Sequence, residues 1–80
     1  MWFFGKWGMI YCYEAKVYQK PSGFGINNGH VSKLYVQRRN PAHKNYILIA
    51  HYERGWIMKP KTKRAKQIVN EIVKHLESAA

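Results

Sequence analysis

The sequence has no aspartate and only four glutamates, which leaves little material for acidic chemistry. A magnesium site requires clustered carboxylates, and a zinc site requires closely spaced Cys or His ligands. The glutamates and histidines are instead scattered singly along the chain: Glu14, Glu53, Glu71, Glu77, His30, His43, His51 and His75. We therefore expect no metal, no cofactor and no catalytic residue.

One stretch offers an enzymatic alternative. Glu14 and Lys16 resemble the Glu-x-Lys half of a restriction-type nuclease core, which needs a further acid from a neighbouring strand, and Glu53 is the candidate for it. A solvent-exposed pair on one strand explains Glu14 and Lys16 more simply. We therefore expect a protein that is not an enzyme.

Cysteine and long apolar runs are also scarce. Cys12 is the sole cysteine, so an internal disulfide is excluded and a reducing compartment is favoured. Lys6 and two glycines interrupt the apolar start of the chain, whose apolar runs are far shorter than the ~20 residues of a membrane helix. We expect a cytoplasmic protein with no membrane association. Trp2, Phe3 and Phe4 provide a candidate surface for a homodimer.

Positive charge is what the chain has in excess. Fourteen Lys and Arg oppose the four glutamates and give a net charge of +10 over 80 residues. Such a charge predicts a polyanionic partner, with nucleic acid first, an acidic protein surface second and a membrane surface third. The length allows a single domain, residues 1–80, with a small core.

The pattern of apolar and polar residues predicts an antiparallel sheet followed by a helix. At about 62–78, apolar residues share one arc of a helix that follows the N-cap Thr62. The predicted fold class is α+β, an antiparallel sheet of three to five strands with one C-terminal amphipathic helix packed on one face. The predicted strands lie at about 2–7, 10–18, 30–38, 46–54 and 55–58.

Two of these strands depart from simple alternation. In the strand at 30–38, Leu34 and Val36 share one face, whereas Val31 falls on the polar face. The strand at 46–54 is apolar on both faces, which predicts a central or well-covered position.

The start of the helix is strongly basic. Five cations crowd residues 59–66, although the helix dipole disfavours positive charge at this end, and Glu71 and Glu77 lie toward the equally unfavourable other end. A solvated basic face is the simple explanation, but the inverted polarity also favours an anion that docks there. The predicted nucleic-acid or anion-binding residues are Lys59, Lys61, Lys63, Arg64, Lys66, Arg38, Arg39 and Lys44.

A secondary site is predicted on the sheet face away from the helix, where basic residues alternate with aromatic ones. Such a surface suits stacking on bases or tracking a phosphate backbone, and ordinary packing between exposed strand neighbours is the alternative. The residues are Lys16, Tyr18, Lys33 and Tyr35.

The glycine-rich stretch PSGFGINNGHV, residues 21–31, raises the question of phosphate binding. Its glycines follow the order Gly23-x-Gly25-x-x-x-Gly29, one residue longer than the dinucleotide fingerprint, and a strand follows where a helix is required. Asn28-Gly29 tolerates positive φ and predicts a chain reversal. We interpret the stretch as a structural hairpin.

Two resemblances add to these predictions. Three strands followed by TKRAKQIVNEIV resemble the second half of double-stranded-RNA-binding domains, whose last helix opens with a basic run that grips phosphates. Lys63, Ala65 and Lys66 match that run, Thr62 replaces its first lysine, and the aromatic start of this chain replaces the family's N-terminal helix. Three strands plus a helix are also similar to integrase arm-binding and plant ethylene-response-type DNA-binding domains, which lay the sheet in the major groove.

The second resemblance covers most of the chain. WFFG, YEAKVY, PSGFGINNGHVSKLYV and YERGW resemble a family of short uncharacterised proteins of Gram-positive bacteria and their phages. This resemblance implies a mobile-element setting in a bacterial host cell, where small proteins regulate genes or block host factors. The first expected function is a nucleic-acid-binding module that contacts mainly phosphates. The alternative is an anti-CRISPR-like inhibitor that binds a host protein such as a nucleic-acid-guided defence nuclease.

Overall fold

The computed structural model describes residues 1–40, 42 and 44–79. Each element differs from its predicted bounds by at most two residues. The elements are strands β1 (Trp2–Trp7), β2 (Tyr11–Val17), β3 (Val31–Asn40), β4 (Asn45–Glu53) and β5 (Trp56–Met58), followed by helix α1 (Lys63–Ala79).

The five strands form one open sheet in the order β1-β2-β3-β4-β5, and every neighbouring pair is antiparallel. Consecutive strands are therefore neighbours in space, which is the simplest arrangement for short connections. The predicted α+β fold class is confirmed. Among the described residues, no helix is long and apolar enough to cross a membrane.

The core lies between α1 and one face of the sheet, here called the inner face. Ala15, Leu34 and Val36 point from the sheet into this layer, and Ile72 and Leu76 meet them from the helix. The apolar arc of α1 is buried along its whole length, as the 3.6-residue period requires. On the opposite face of the sheet, the outer face, no helix packs among the residues that the structure describes.

Val31 lies in the core, so its predicted place on the polar face is wrong. The register between β2 and β3 shifts at Val17, which pairs with Val31 after Lys16 has paired with Lys33. Ser32 is thus an extra residue in β3, and the bulge turns Val31 back to the inner face, where it is fully buried. The imperfect alternation in the sequence marks this bulge.

β4 is not fully covered, which corrects its predicted position. Its second half is central, with Ala50 and Tyr52 buried, but its first half extends past the core. There Tyr46 and Ile47 are 51% and 40% exposed. The apolar residues on both faces of β4 therefore have two different environments. Those of the second half are buried, whereas Tyr46 and Ile47 in the first half are exposed.

The glycine-rich stretch reverses the chain through a short 3₁₀ turn, Ile26–Asn28. Asn27 and Asn28 take the positive φ angles, 54° and 57°, whereas Gly29 has φ −100°. The predicted reversal through Asn28-Gly29 is therefore displaced by one residue. A Cβ at Gly29 would lie 2.5 Å from a carboxylate oxygen of Glu77, so an alanine there would require this carboxylate to move.

Candidate functional site

The start of α1 is set by Thr62, as its sequence predicts. The Thr62 hydroxyl accepts a hydrogen bond of 3.0 Å from the main-chain N–H of Ala65, and the Thr62 carbonyl accepts the N–H of Lys66 at 3.0 Å. The N–H groups of Lys63 and Arg64 have no acceptor among the described residues. Two N–H donors therefore face outward at a helix end that is also rich in cations.

Three of the predicted cations come together around one cleft of about 370 Å³ beside the start of α1. Arg38 reaches it from β3, Lys61 from the connection after β5, and Arg64 from the first turn of the helix. Arg38 pairs with Tyr11 across the strands and so lies on the inner face. The sequence placed Arg38 with the helix start by charge alone, and the fold brings the two into the same cleft.

The apolar part of the lining of this cleft was not predicted from the sequence. Tyr11, Leu48, Ile49 and Met58 line it, and they come from β2, β4 and β5. Residues from three strands give no local signal, because their proximity depends on the sheet register.

The remaining predicted cations are exposed around this centre without lining the cleft. Lys63 and Lys66 lie in the first turn of α1, and Lys59 follows β5. Arg39 neighbours Arg38 in β3 and therefore lies on the outer face. Lys44 lies in the β3–β4 connection with φ 55°. The eight residues therefore form a cleft group of three and a dispersed group of five.

No carboxylate lines the cleft, and among the described residues none of the eight cations has a carboxylate within 4.0 Å. The two acids of α1 are engaged elsewhere. Glu71 accepts hydrogen bonds from the Trp7 indole at 3.0 Å and from the Gln67 amide at 3.2 Å. Glu77 accepts from the main chain of His30.

These contacts change the argument from helix polarity. Tertiary hydrogen bonds explain why Glu71 and Glu77 stand toward the C-terminal end of α1, so their position no longer points to an anion. The basic first turn has no such explanation within the described residues. The candidate site therefore depends on the cations alone.

The sequence profile of a domain of unknown function, DUF7678, matches residues 1–77. The chain belongs to this family. The match spans the five strands and α1 as far as Glu77. No curated protein and no solved structure shows a significant match to the sequence.

The predicted secondary site lies on the outer face of this DUF7678 domain, where its residues make ordinary contacts with their neighbours. The Lys16 ammonium lies 5.3 Å from the Tyr18 ring centre and 6.0 Å from that of Trp2, and hydrogen bonding from Lys16 lowers the pKa of the Tyr18 phenol. Lys33 forms an ion pair of 3.2 Å with Glu53. The Tyr35 ring stacks on His51 with centres 4.3 Å apart.

The fold of the DUF7678 domain does not bring together the two acids that the nuclease alternative requires. Glu14 and Glu53 lie on β2 and β4, separated by β3, and Glu53 is occupied by Lys33. Within residues 1–40, 42 and 44–79, no three His, Cys, Asp or Glu side chains are placed to hold a metal.

Proposed function

We propose that this DUF7678 domain is a small basic nucleic-acid-binding module that contacts mainly the phosphate backbone. The observation that carries the proposal is the convergence of Arg38, Lys61 and Arg64, from three separate segments, on one cleft that no carboxylate of the described residues lines. Bringing like charges together destabilises a fold, so such a group is explained best by an anionic ligand.

The geometry supports phosphate contacts at more than one point. Arg38 and Arg64 supply planar donors that can bind a phosphate through two hydrogen bonds each. Lys63 and Lys66 extend the positive surface along the first turn of α1. Contacts of this kind fix a backbone in place but carry little sequence information.

The proposed setting is the cytoplasm of a bacterial host cell that carries a phage or another mobile element. The single cysteine supports a reducing compartment, and the net charge of +10 supports a nucleic-acid partner. Host DNA, host RNA and the nucleic acid of the element itself all present the same phosphate chemistry.

A salt series tests the proposal. The free domain is titrated into labelled duplex DNA, duplex RNA and single strands of each while fluorescence anisotropy is recorded at increasing salt concentration. Counterion release predicts a linear fall of log K with log salt, with a slope that grows with the number of phosphates bound. Absence of binding to every one of these ligands at low salt would rule the proposal out.

A second function is favoured by the apolar surface next to the cations. Trp56 and Ile57 of β5 are 36% and 62% exposed and precede Lys59 and Lys61 by two to five positions. A basic surface with an apolar border suits an acidic protein patch, so we propose as the alternative an inhibitor of a host protein such as a nucleic-acid-guided defence nuclease. It predicts that one host protein co-purifies with the domain and remains bound after nuclease treatment.

We also propose a homodimer, with a smaller contact surface than the sequence suggests. Trp2 and Phe4 lie on the outer face, 43% and 69% exposed, and their rings stack with centres 6.5 Å apart. Phe3 is partly buried and packs against the core from the inner face, so it does not belong to the same surface as Trp2 and Phe4. The self-association surface is therefore reduced to Trp2 and Phe4.

A further inference from the structure

The lining of the cleft beside the start of α1 combines two chemical characters. It includes the cations Arg38, Lys61 and Arg64 together with the apolar side chains of Leu48, Ile49 and Met58. A site for phosphate alone needs donors and cations, and it gains nothing from apolar side chains. The lining therefore fits a ligand that carries an apolar group close to an anionic one.

The size of the cleft limits the ligand further. A volume of about 370 Å³ lies near the lower end of the range for small-molecule sites. A paired base inside a duplex cannot enter a cleft, because its faces are covered by stacking. An unpaired base presents a flat apolar face and carries its phosphate one sugar away, which matches a lining that holds apolar side chains beside cations.

We infer that the cleft binds one unpaired base of a single-stranded segment against Leu48, Ile49 and Met58, while Arg38, Lys61 and Arg64 bind the flanking phosphates. The inference rests on the proposed nucleic-acid binding and narrows it to single-stranded or frayed substrates. The contact with the base is made through its face rather than its edges, so it discriminates little between base types.

The test compares two single strands of equal charge. One is a fluorescently labelled thymidylate dodecamer, and the other is a dodecamer of abasic sites with the same number of phosphates. Burial of one base face against the apolar side chains predicts that the thymidylate strand binds roughly tenfold more tightly, with the same salt slope for both. Equal affinities would overturn the inference and leave the proposed function standing, whereas no binding of either strand at low salt would overturn both.

Two adjacent residues of β5 provide matched variants. Met58 lines the cleft, whereas Ile57 is 62% exposed and does not line it. Met58→Ala is expected to reduce the preference for the thymidylate strand at least threefold, and Ile57→Ala is expected to leave it unchanged. Leu48→Ala serves as a second cleft variant, checked like the others for an unchanged unfolding midpoint. A preference that survives both cleft variants would place the base elsewhere and refute the inference.

Discussion

The carboxylate of Glu77 accepts hydrogen bonds from the main-chain N–H of His30, with N···O distances of 2.8 and 3.1 Å. It also accepts the N–H of Val31 at 3.2 Å. The last turn of α1 is thereby attached to Val31, the first residue of β3, and to His30 immediately before it. The glycine-rich stretch thus does end at an anion, but the anion is a carboxylate of the same chain.

Replacing Glu77 with Ala removes the acceptor for two main-chain donors that are partly buried. We expect the free energy of unfolding to fall by about 1–3 kcal/mol, the usual cost of leaving such donors unpaired. Urea denaturation followed by circular dichroism measures the change. Glu14→Ala removes the same charge from an exposed position and should change stability by less than about 0.5 kcal/mol.

Gly29 and Glu77 are expected to be energetically coupled. A Cβ at Gly29 would lie 2.5 Å from one carboxylate oxygen of Glu77, so Gly29→Ala should displace the carboxylate and destabilise the fold. In a chain that already carries Glu77→Ala, the same substitution should cost clearly less. A double-mutant cycle measures this difference, and strictly additive effects would show that Gly29 is required for another reason.

The cleft cations are expected to determine the salt dependence of nucleic-acid binding. Replacing Arg38, Lys61 and Arg64 together with Ala should make the fall of log K with log salt less steep, because fewer counterions are released on binding. The expected decrease is about one unit for each phosphate that the variant no longer binds.

The matched control removes the same charge elsewhere, by replacing Lys6, Lys20 and Lys74 with Ala. It should leave the slope close to that of the unchanged protein. Equal effects of the two triple variants would indicate that only net charge matters. A third variant of Lys63, Arg64 and Lys66 shows how far the phosphate-binding surface extends along the helix.

The thiol of Cys12 is expected to react slowly with alkylating reagents. Burial, and to a smaller extent the charge of Glu14, raise the pKa of the Cys12 thiol, whereas Lys6 lowers it. Glu14→Gln should therefore shift the pH profile of alkylation to lower pH, and Lys6→Gln should shift it to higher pH. Shifts of the same sign in both variants would contradict this electrostatic account.

Phe3 and Phe4 are expected to differ sharply, although they are neighbours. Phe3→Ala removes a ring that packs against the core and should cost about 2 kcal/mol of folding stability. Phe4→Ala removes a ring that is 69% exposed and should leave the unfolding midpoint nearly unchanged. In sedimentation experiments, Phe4→Ala should also weaken any self-association. A dimer that is unaffected by Phe4→Ala would exclude the outer-face aromatics as its interface.

The sequence predicts the elements well, because each strand and the helix carries its own periodicity. It fails where one inserted residue changes a face, as at Ser32, since the effect of a bulge depends on the partner strand. It fails also at Tyr46, because the exposed part of β4 lies beyond the start of α1, and the position of the helix is not encoded in the composition of the strand.

The candidate site is predictable to the extent that it is local. Lys61 and Arg64 lie three positions apart, so their proximity follows from the chain itself. Arg38 reaches the same cleft through its pairing with Tyr11, and Met58 through the position of β5. Because side chains alternate along a strand, Arg38 and Arg39 must lie on opposite faces of the sheet. Which of them lies on the inner face is known only from the register.

The two edges of the sheet differ in what they offer to another chain. β5 has three residues, whereas β1 presents six, of which Trp2, Phe3, Phe4 and Trp7 are aromatic and Lys6 is charged. An unpaired strand edge is a template for further strands, and charge is a common protection against such growth. At high protein concentration, colloidal stability is therefore expected to depend on Lys6 more than on any other lysine of the sheet.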